Sequence, residues 1–265
     1  MNRRTMWLVG VAVAVLVIIL VLVGLVLATR GSGSGTADNP GGGDVGGGAA
    51  PANAQADKQT ATQLPVQLAK LPPPEQPFHG CPGTGDGGDP VLNTLKNRTD
   101  TGNWTPVAFD ALEKLAWPHA AERTKYDSWS KDVRAQIDKY NGIPVQIEGY
   151  LFAAHKQGPE SNNCHAAGLT DFHIWLTAGP KEDRTASIVV EMTPRMLEQH
   201  PKWTVDVLNQ IAHNNERVRV SGWTMFDPEH PDQVTKTRGT IWEIHPVMQL
   251  EVMRDGRWQS LDDLK

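Results

Sequence analysis

From Gly142 onward, large apolar residues recur at every second position, and no other feature of the chain constrains its fold as strongly. The segments 145–152 (VQIEGYLF), 172–176 (FHIWL), 187–192 (SIVVEM), 217–226 (RVRVSGWTMF) and 241–253 (IWEIHPVMQLEVM) each read as a strand. After the third, Thr193 and Pro194 open a helical stretch, which resumes beyond Pro201 over 205–213 (VDVLNQIAH). The order is strand, strand, strand, helix, strand, strand.

That order predicts a mainly β (α+β) fold, an OB-like five-stranded barrel over 143–265 with a helix between strands 3 and 4. Gly149 and Gly222 fall inside strands, where a small barrel must coil sharply. Residues 78–142 read as a helical lead-in. Asp89 is placed to cap a helix with Pro90 at its first position, and helices are predicted over 108–116 and 124–140. The second brings Trp129, Val133, Ile137 and Tyr140 to one face before Asn141 and Gly142 stop it. Asp86 and Asp89 among glycines lack the ligand spacing and closing Glu of an EF-hand, so capping and turn formation is the preferred reading.

The run 7–28, WLVGVAVAVLVIILVLVGLVLA, has no charged side chain and is long enough to cross a bilayer core of about 30 Å. It exceeds the apolar core of a cleaved signal peptide, although Val26 to Ala28 would serve as a cleavage site. Residues 1–30 are therefore expected to be a transmembrane anchor. Arg3 and Arg4 before the run place the N-terminus in the cytoplasm and the remainder outside. Residues 31–77, rich in Gly, Ala and Pro, read as a disordered linker that stiffens at 72–74 (PPP).

Three of the 25 basic residues, Arg3, Arg4 and Arg30, lie in the first 30 positions and no acid does, so the rest carries 22 basic against 30 acidic residues. A net −8 opposes a phosphate-tracking surface, and nucleic acid is not the expected partner. The membrane is one partner; an envelope protein or glycan is the other expectation. Cys81 and Cys164 both follow the anchor, and an oxidising compartment would let them pair as a disulfide.

Alternation places Asp171, His173 and Trp175 on the face opposite Phe172, Ile174 and Leu176, and sets Glu243 and His245 opposite Trp242 and Ile244. If His173, His245, Glu191 and Glu243 converge, two imidazoles and carboxylates would hold a divalent metal, the one cofactor this residue set suits. The bland alternative is that each histidine bonds a neighbouring carboxylate or carbonyl and pins a strand register. Trp175, Trp223 and Trp242 would stack a ligand if exposed and fill the core if buried. Asp227 and Glu229, in the acidic stretch 227–232 (DPEHPD), would edge the groove that OB-type barrels use, or form a solvated turn.

The words GDGGDPVLNTLKNR, IPVQIEGYLF, NNCHAAGLTDFHIWL, SIVVEMTPR, VRVSGWTMFDPEHP and RGTIWEIHPVMQLEV resemble a group of uncharacterised bacterial exported proteins with an OB-like domain. The resemblance spans residues 81–252 and implies fold and export, with no chemistry to transfer. Staphylococcal-type nucleases share such a barrel, but Arg184, Arg195, Arg219 and Arg238 do not fall in that family's pattern. The expectation is a membrane-anchored extracytoplasmic binding domain, non-catalytic, with a metal-dependent hydrolase as the rival and nucleic-acid binding third.

Overall fold

The computed structural model describes residues 64–65 and 71–264, so the anchor, most of the linker and Lys265 lie outside the described residues. Among the described residues no helix is long and apolar enough to cross a membrane. In chain order the helices are α1 (Pro90–Lys96), α2 (Phe109–Glu113), α3 (Lys131–Ile137), α4 (Pro194–Gln199) and α5 (Val205–His213). The strands are β1 (Thr105–Pro106), β2 (Pro144–Lys156), β3 (Phe172–Thr177), β4 (Ile188–Met192), β5 (Arg217–Phe226), β6 (Trp242–Arg254) and β7 (Arg257–Ser260).

Five of these close a mixed barrel in the order β2-β3-β4-β6-β5-β2, matching the OB-like expectation. All pairs are antiparallel except β4 with β6. Closure depends on the length of β2. Its first half pairs β5 from Pro144↔Trp223 to Tyr150↔Arg217, and its second half pairs β3 from Tyr150↔Thr177 to Lys156↔Phe172. A bulge between Leu151 and Ala153 bends the strand. At the two strand glycines the walls come too close for a side chain: a Cβ on Gly149 would stand 2.5 Å from the Thr177 carbonyl oxygen, and one on Gly222 2.5 Å from that of Pro246. Opposite Trp223, β6 has two residues, His245 and Pro246, between the pairs Thr224↔Ile244 and Gly222↔Val247. This second bulge accommodates a proline that has no amide to donate.

The barrel interior is apolar. Val145, Ile147, Ile174, Leu176, Ile188, Val190, Val220, Ile244 and Val252 are buried there, and Leu208 and Ile211 of α5 join the same core. Each such side chain contributes about 1.5–3 kcal/mol when fully buried. Asn209 of α5 also holds β2 past its bulge, donating to the Ala154 carbonyl and accepting from its amide at 3.0 and 2.9 Å.

Two lead-in helices and two short strands differ from expectation. The helix over 108–116 shrinks to Phe109–Glu113. The helix over 124–140 breaks into a 3₁₀ turn, Tyr126–Ser128, and α3, because the Ser130 hydroxyl accepts from the Val133 amide and caps a fresh start. Trp129 meanwhile packs on Phe226 in the barrel core. The short strands β1 and β7 were not expected; two and four residues carry too little period to register. The Asp89 expectation holds, with its carboxylate accepting from the Val91 and Leu92 amides at 3.0 and 3.3 Å.

The lead-in also covers the barrel. Cys81 and Cys164 form a disulfide, with Cα atoms 5.7 Å apart, between the start of the lead-in and the loop joining β2 to β3. Around it the Asp86 amide donates to the Ser161 carbonyl, Asn97 Nδ2 donates to the Asn162 carbonyl, and the Lys96 ammonium pairs with Glu160. Gly85 makes this approach feasible: its φ is +70°, and a Cβ there would lie 2.2 Å from the Ser161 carbonyl oxygen. On the other side, Leu92 and Leu95 of α1 pack on Met225 of β5. All six residues of β3 and all five of β4 are buried as a result. The outward, polar side of their alternation faces protein.

Candidate functional site

The outer wall of β3, β4 and β6, beneath this cap, gathers Asp171, His173, Glu191, Glu243 and His245, all buried. Register produces the row. His155 of β2 pairs with His173 of β3, and His173 pairs with Glu191 of β4. The parallel pairing of Val190 with Ile244 sets Glu191 and His245 as the next step along both strands. Period-two alternation sends all of these side chains outward, while Ile174, Val190 and Ile244 go inward.

His173 Nδ1 lies 3.1 Å from Glu191 Oε1 and also contacts the Gln157 side chain. His245 Nδ1 lies 3.6 Å from both Glu191 Oε2 and Glu243 Oε2, and its Nε2 lies 3.5 Å from Asp171 Oδ2. Asp171 stands one residue before β3, its two oxygens accepting from Asn162 Nδ2 at 3.0 Å and Asn163 Nδ2 at 2.7 Å. The loop clamped by Cys164 thus supplies both donors that orient Asp171.

Exposure decides what this row is. Asp171 is 0% exposed, His245 1%, Glu243 2%, His173 4% and Glu191 6%. Both nitrogens of His245, Nε2 of His173 and Oε2 of Glu191 are buried without a hydrogen-bond partner. A buried polar atom left unpaired costs about 1–3 kcal/mol, more when charged.

Burial and charge pull against each other throughout the row. For Glu191 burial is the largest influence and favours the neutral acid, but His245 and then His173 outweigh it and hold the carboxyl well below its ordinary range. Burial likewise disfavours a charged His245, yet Glu191, Asp171 and Glu243 together push it up to about 10. The Glu243 carboxyl is raised, first by burial and then by Asp227. Lys96 sits at the edge of the row: burial opposes its charge, but Glu160, Glu191, Glu229 and Asp227 outweigh it and keep its ammonium above the ordinary value.

A second group lies beside the first. Arg238, 1% exposed, donates through one terminal nitrogen to Asp227 at 2.9 Å and to Glu243 at 2.6 Å. Asp227 also bonds His230 at 2.9 Å and accepts from the Glu229 amide at 2.9 Å. Burial raises the Asp227 carboxyl, but His230 and Arg238 more than reverse it. His230 in turn is raised to about 9, chiefly by its hydrogen bond to Asp227. Glu229 is exposed and lines a cleft of about 270 Å³ with Asp89, Arg123 and Lys125.

The structure therefore brings His173, Glu191, Glu243 and His245 to one wall. Of the three tryptophans, Trp175 belongs to that wall and Trp223 and Trp242 lie elsewhere, and all three are packed. Trp242 is 0% exposed against Phe226 and Tyr140. Trp223 lies under Arg98, whose guanidinium carbon is 3.3 Å from the ring centre. Trp175 packs against His155, His173 and Arg184. As packed, none offers a free ring face, and Asp227 points into an ion pair rather than a groove.

Asp171, Lys96, Glu160 and Arg238 belong to this layer and were missed as site residues. For Asp171 a signal existed, because it shares the period-two face of His173. Lys96 and Glu160 carry no comparable local mark. Comparison with family models and with curated proteins finds no match for this chain.

Proposed function

We propose that this chain is a membrane-anchored, extracytoplasmic binding domain that seats its ligand on the outer wall of β3, β4 and β6, under the disulfide-clamped cap. The observation carrying this reading is the set of charged side chains buried there with polar atoms left unpaired. In OB-type barrels the face of strands 2 and 3, with the loops after strands 1 and 4, is the usual ligand seat. Here those strands are β3 and β4, and those loops carry Asp171 and Asp227.

Energetics support a reserved site over a structural network. Each buried ion costs several kcal/mol in desolvation, and replacing a buried ionic set with apolar side chains is often neutral or stabilising by about 1–4 kcal/mol. A chain that retains such a set does so at a stability cost, the pattern expected of functional residues. Enclosure favours binding over the hydrolase reading, because a hydrolase must admit both water and substrate to its reacting atoms.

The test is the combined variant Glu191→Leu, His245→Leu in the full-length protein, which keeps Asp171 on its Asn162 and Asn163 donors, followed by urea denaturation in chelator-treated buffer. A binding seat predicts stability equal to or above that of the native chain. A loss of several kcal/mol would identify the row as structural and end this reading.

A further inference from the structure

We infer that Asp171, Glu191 and His245 form a mononuclear site for a divalent transition metal, with Glu243 and His173 as outer partners. The inference rests on the binding reading above and names its ligand. An ion is also the solute that an enclosed acid–histidine cluster suits best.

The spacing carries the argument. Asp171 Oδ2 stands 3.5 Å from Nε2 of His245, and Glu191 Oε2 and Glu243 Oε2 each stand 3.6 Å from its Nδ1, all too long for hydrogen bonds. An imidazolium among carboxylates would draw to about 2.7–2.9 Å from at least one. Two ligands each about 2.0–2.1 Å from a tetrahedral ion stand roughly 3.4 Å apart. One atom from each of Asp171, Glu191 and His245 lies within 4.8 Å of the others. The three side chains thus stand close without being bonded to one another, Asp171 nearest Nε2 of the imidazole and Glu191 nearest Nδ1.

The second observation is what those distances leave behind: neither ring nitrogen of His245, at 1% exposure, nor Oε2 of Glu191 has a hydrogen-bond partner. The outer partners are also those a metal ligand needs. With Nε2 of His245 as the ligating nitrogen, on the side of Asp171, its Nδ1 faces Glu243, a carboxylate outside the ligand set. Asn162 and Asn163 orient Asp171, and His173 contacts the second oxygen of Glu191. One imidazole with two carboxylates suits Zn²⁺, Mn²⁺ or Fe²⁺, whereas Ca²⁺ prefers six or more oxygens.

The full-length chain, purified in detergent and stripped with chelator, is titrated with Zn²⁺ and with Mn²⁺, and its metal content is measured after dialysis. One ion per chain is expected, with affinity reduced about 100-fold or more in Glu191→Gln and in Asp171→Asn. It should be unchanged in Glu229→Gln, which disables the other acid–histidine group, Asp227, Glu229 and His230. Co²⁺ loading of the native chain gives a readout that depends on no variant: visible bands of a low-symmetry centre with an imidazole ligand. Absence of stoichiometric metal with no Co²⁺ bands, or metal lost in Glu229→Gln but retained in Glu191→Gln, overturns the site. Because the apolar variant is scored by stability alone, a binding seat for some other small solute survives a negative metal result, and the two failures are told apart.

Discussion

Around Asp227 the oxygens have partners: Oδ2 accepts from His230 and Arg238, Oδ1 accepts from the Glu229 amide, and Arg238 reaches on to Glu243. Around His245, in the same layer, both ring nitrogens and Glu191 Oε2 have none. Both groups pair histidine with carboxylates, and Asp227 and Arg238 are as buried as the His245 row, although half of the His230 side chain faces solvent; burial of the acids is not what separates the groups. The first is closed by a guanidinium that neutralises two acids. The second is held open by the walls that carry it. In the first group the acids are paired and only Nε of Arg238 is left without a partner; in the second both the imidazole and a carboxylate oxygen are unpaired, as expected of groups positioned for something absent from the chain itself.

The comparison breaks most visibly at Arg238. Arg238→Met leaves Asp227 and Glu243 buried with no guanidinium between them, and one orphaned buried charge typically costs about 3–5 kcal/mol. Denaturation of the full-length variant should show a loss of that order, in contrast to the unchanged or raised stability expected when the His245 group is made apolar. Equal losses in both would mean that the two groups are alike and that the contrast is without meaning.

Removing the disulfide sharpens the contrast in another way. The bond closes a separation of 83 residues, and its loss in Cys81→Ser, Cys164→Ser should cost about 2–4 kcal/mol. Its effect should be local to one group. Cys164 lies beside Asn162 and Asn163, the donors to Asp171, whereas the Asp227 network hangs from the loop after β5. Hydrogen exchange should therefore speed up at residues 160–171 and stay nearly unchanged at 226–243. Faster exchange in both segments would show that the cap and the Asp227 loop open as one unit.

How much of this was legible depends on the range of the information. Period-two alternation is local, so the five strands, their order and the shared outward side of Asp171, His173 and Glu243 could be read from neighbouring residues. Asp89 and Pro90 announced α1 for the same reason. What alternation cannot say is whether the outward side meets water. Here it does not, because residues 81–97 fold across it, and that depends on Gly85 lying against Ser161, a contact between positions 76 apart in number. The tryptophans illustrate the same limit: Trp175, Trp223 and Trp242 read alike in sequence, and only packing decides that all three are covered. Lys96, and Arg238, which in sequence only fails a nuclease pattern, acquire their roles from acids contributed by other strands and loops.

The smallest expected effect concerns pH and bears on the satisfied group. His230 gains its bond to Asp227 only on folding, which raises it to about 9 from an ordinary value near 6.5, while Arg238 beside it works weakly in the opposite direction and Glu243 assists. A group whose affinity for a proton rises on folding stabilises the folded chain while protonated. Its contribution is therefore complete below about pH 6.5 and fades as pH climbs through about 9. Half of the His230 side chain faces solvent, so screening keeps the effect modest. His230→Gln should flatten the decline in urea midpoint between pH 6.5 and 9 relative to the native chain, with the two curves converging at the alkaline end. An identical decline in both would mean that the His230–Asp227 bond adds no stability, leaving Arg238 alone to close the group.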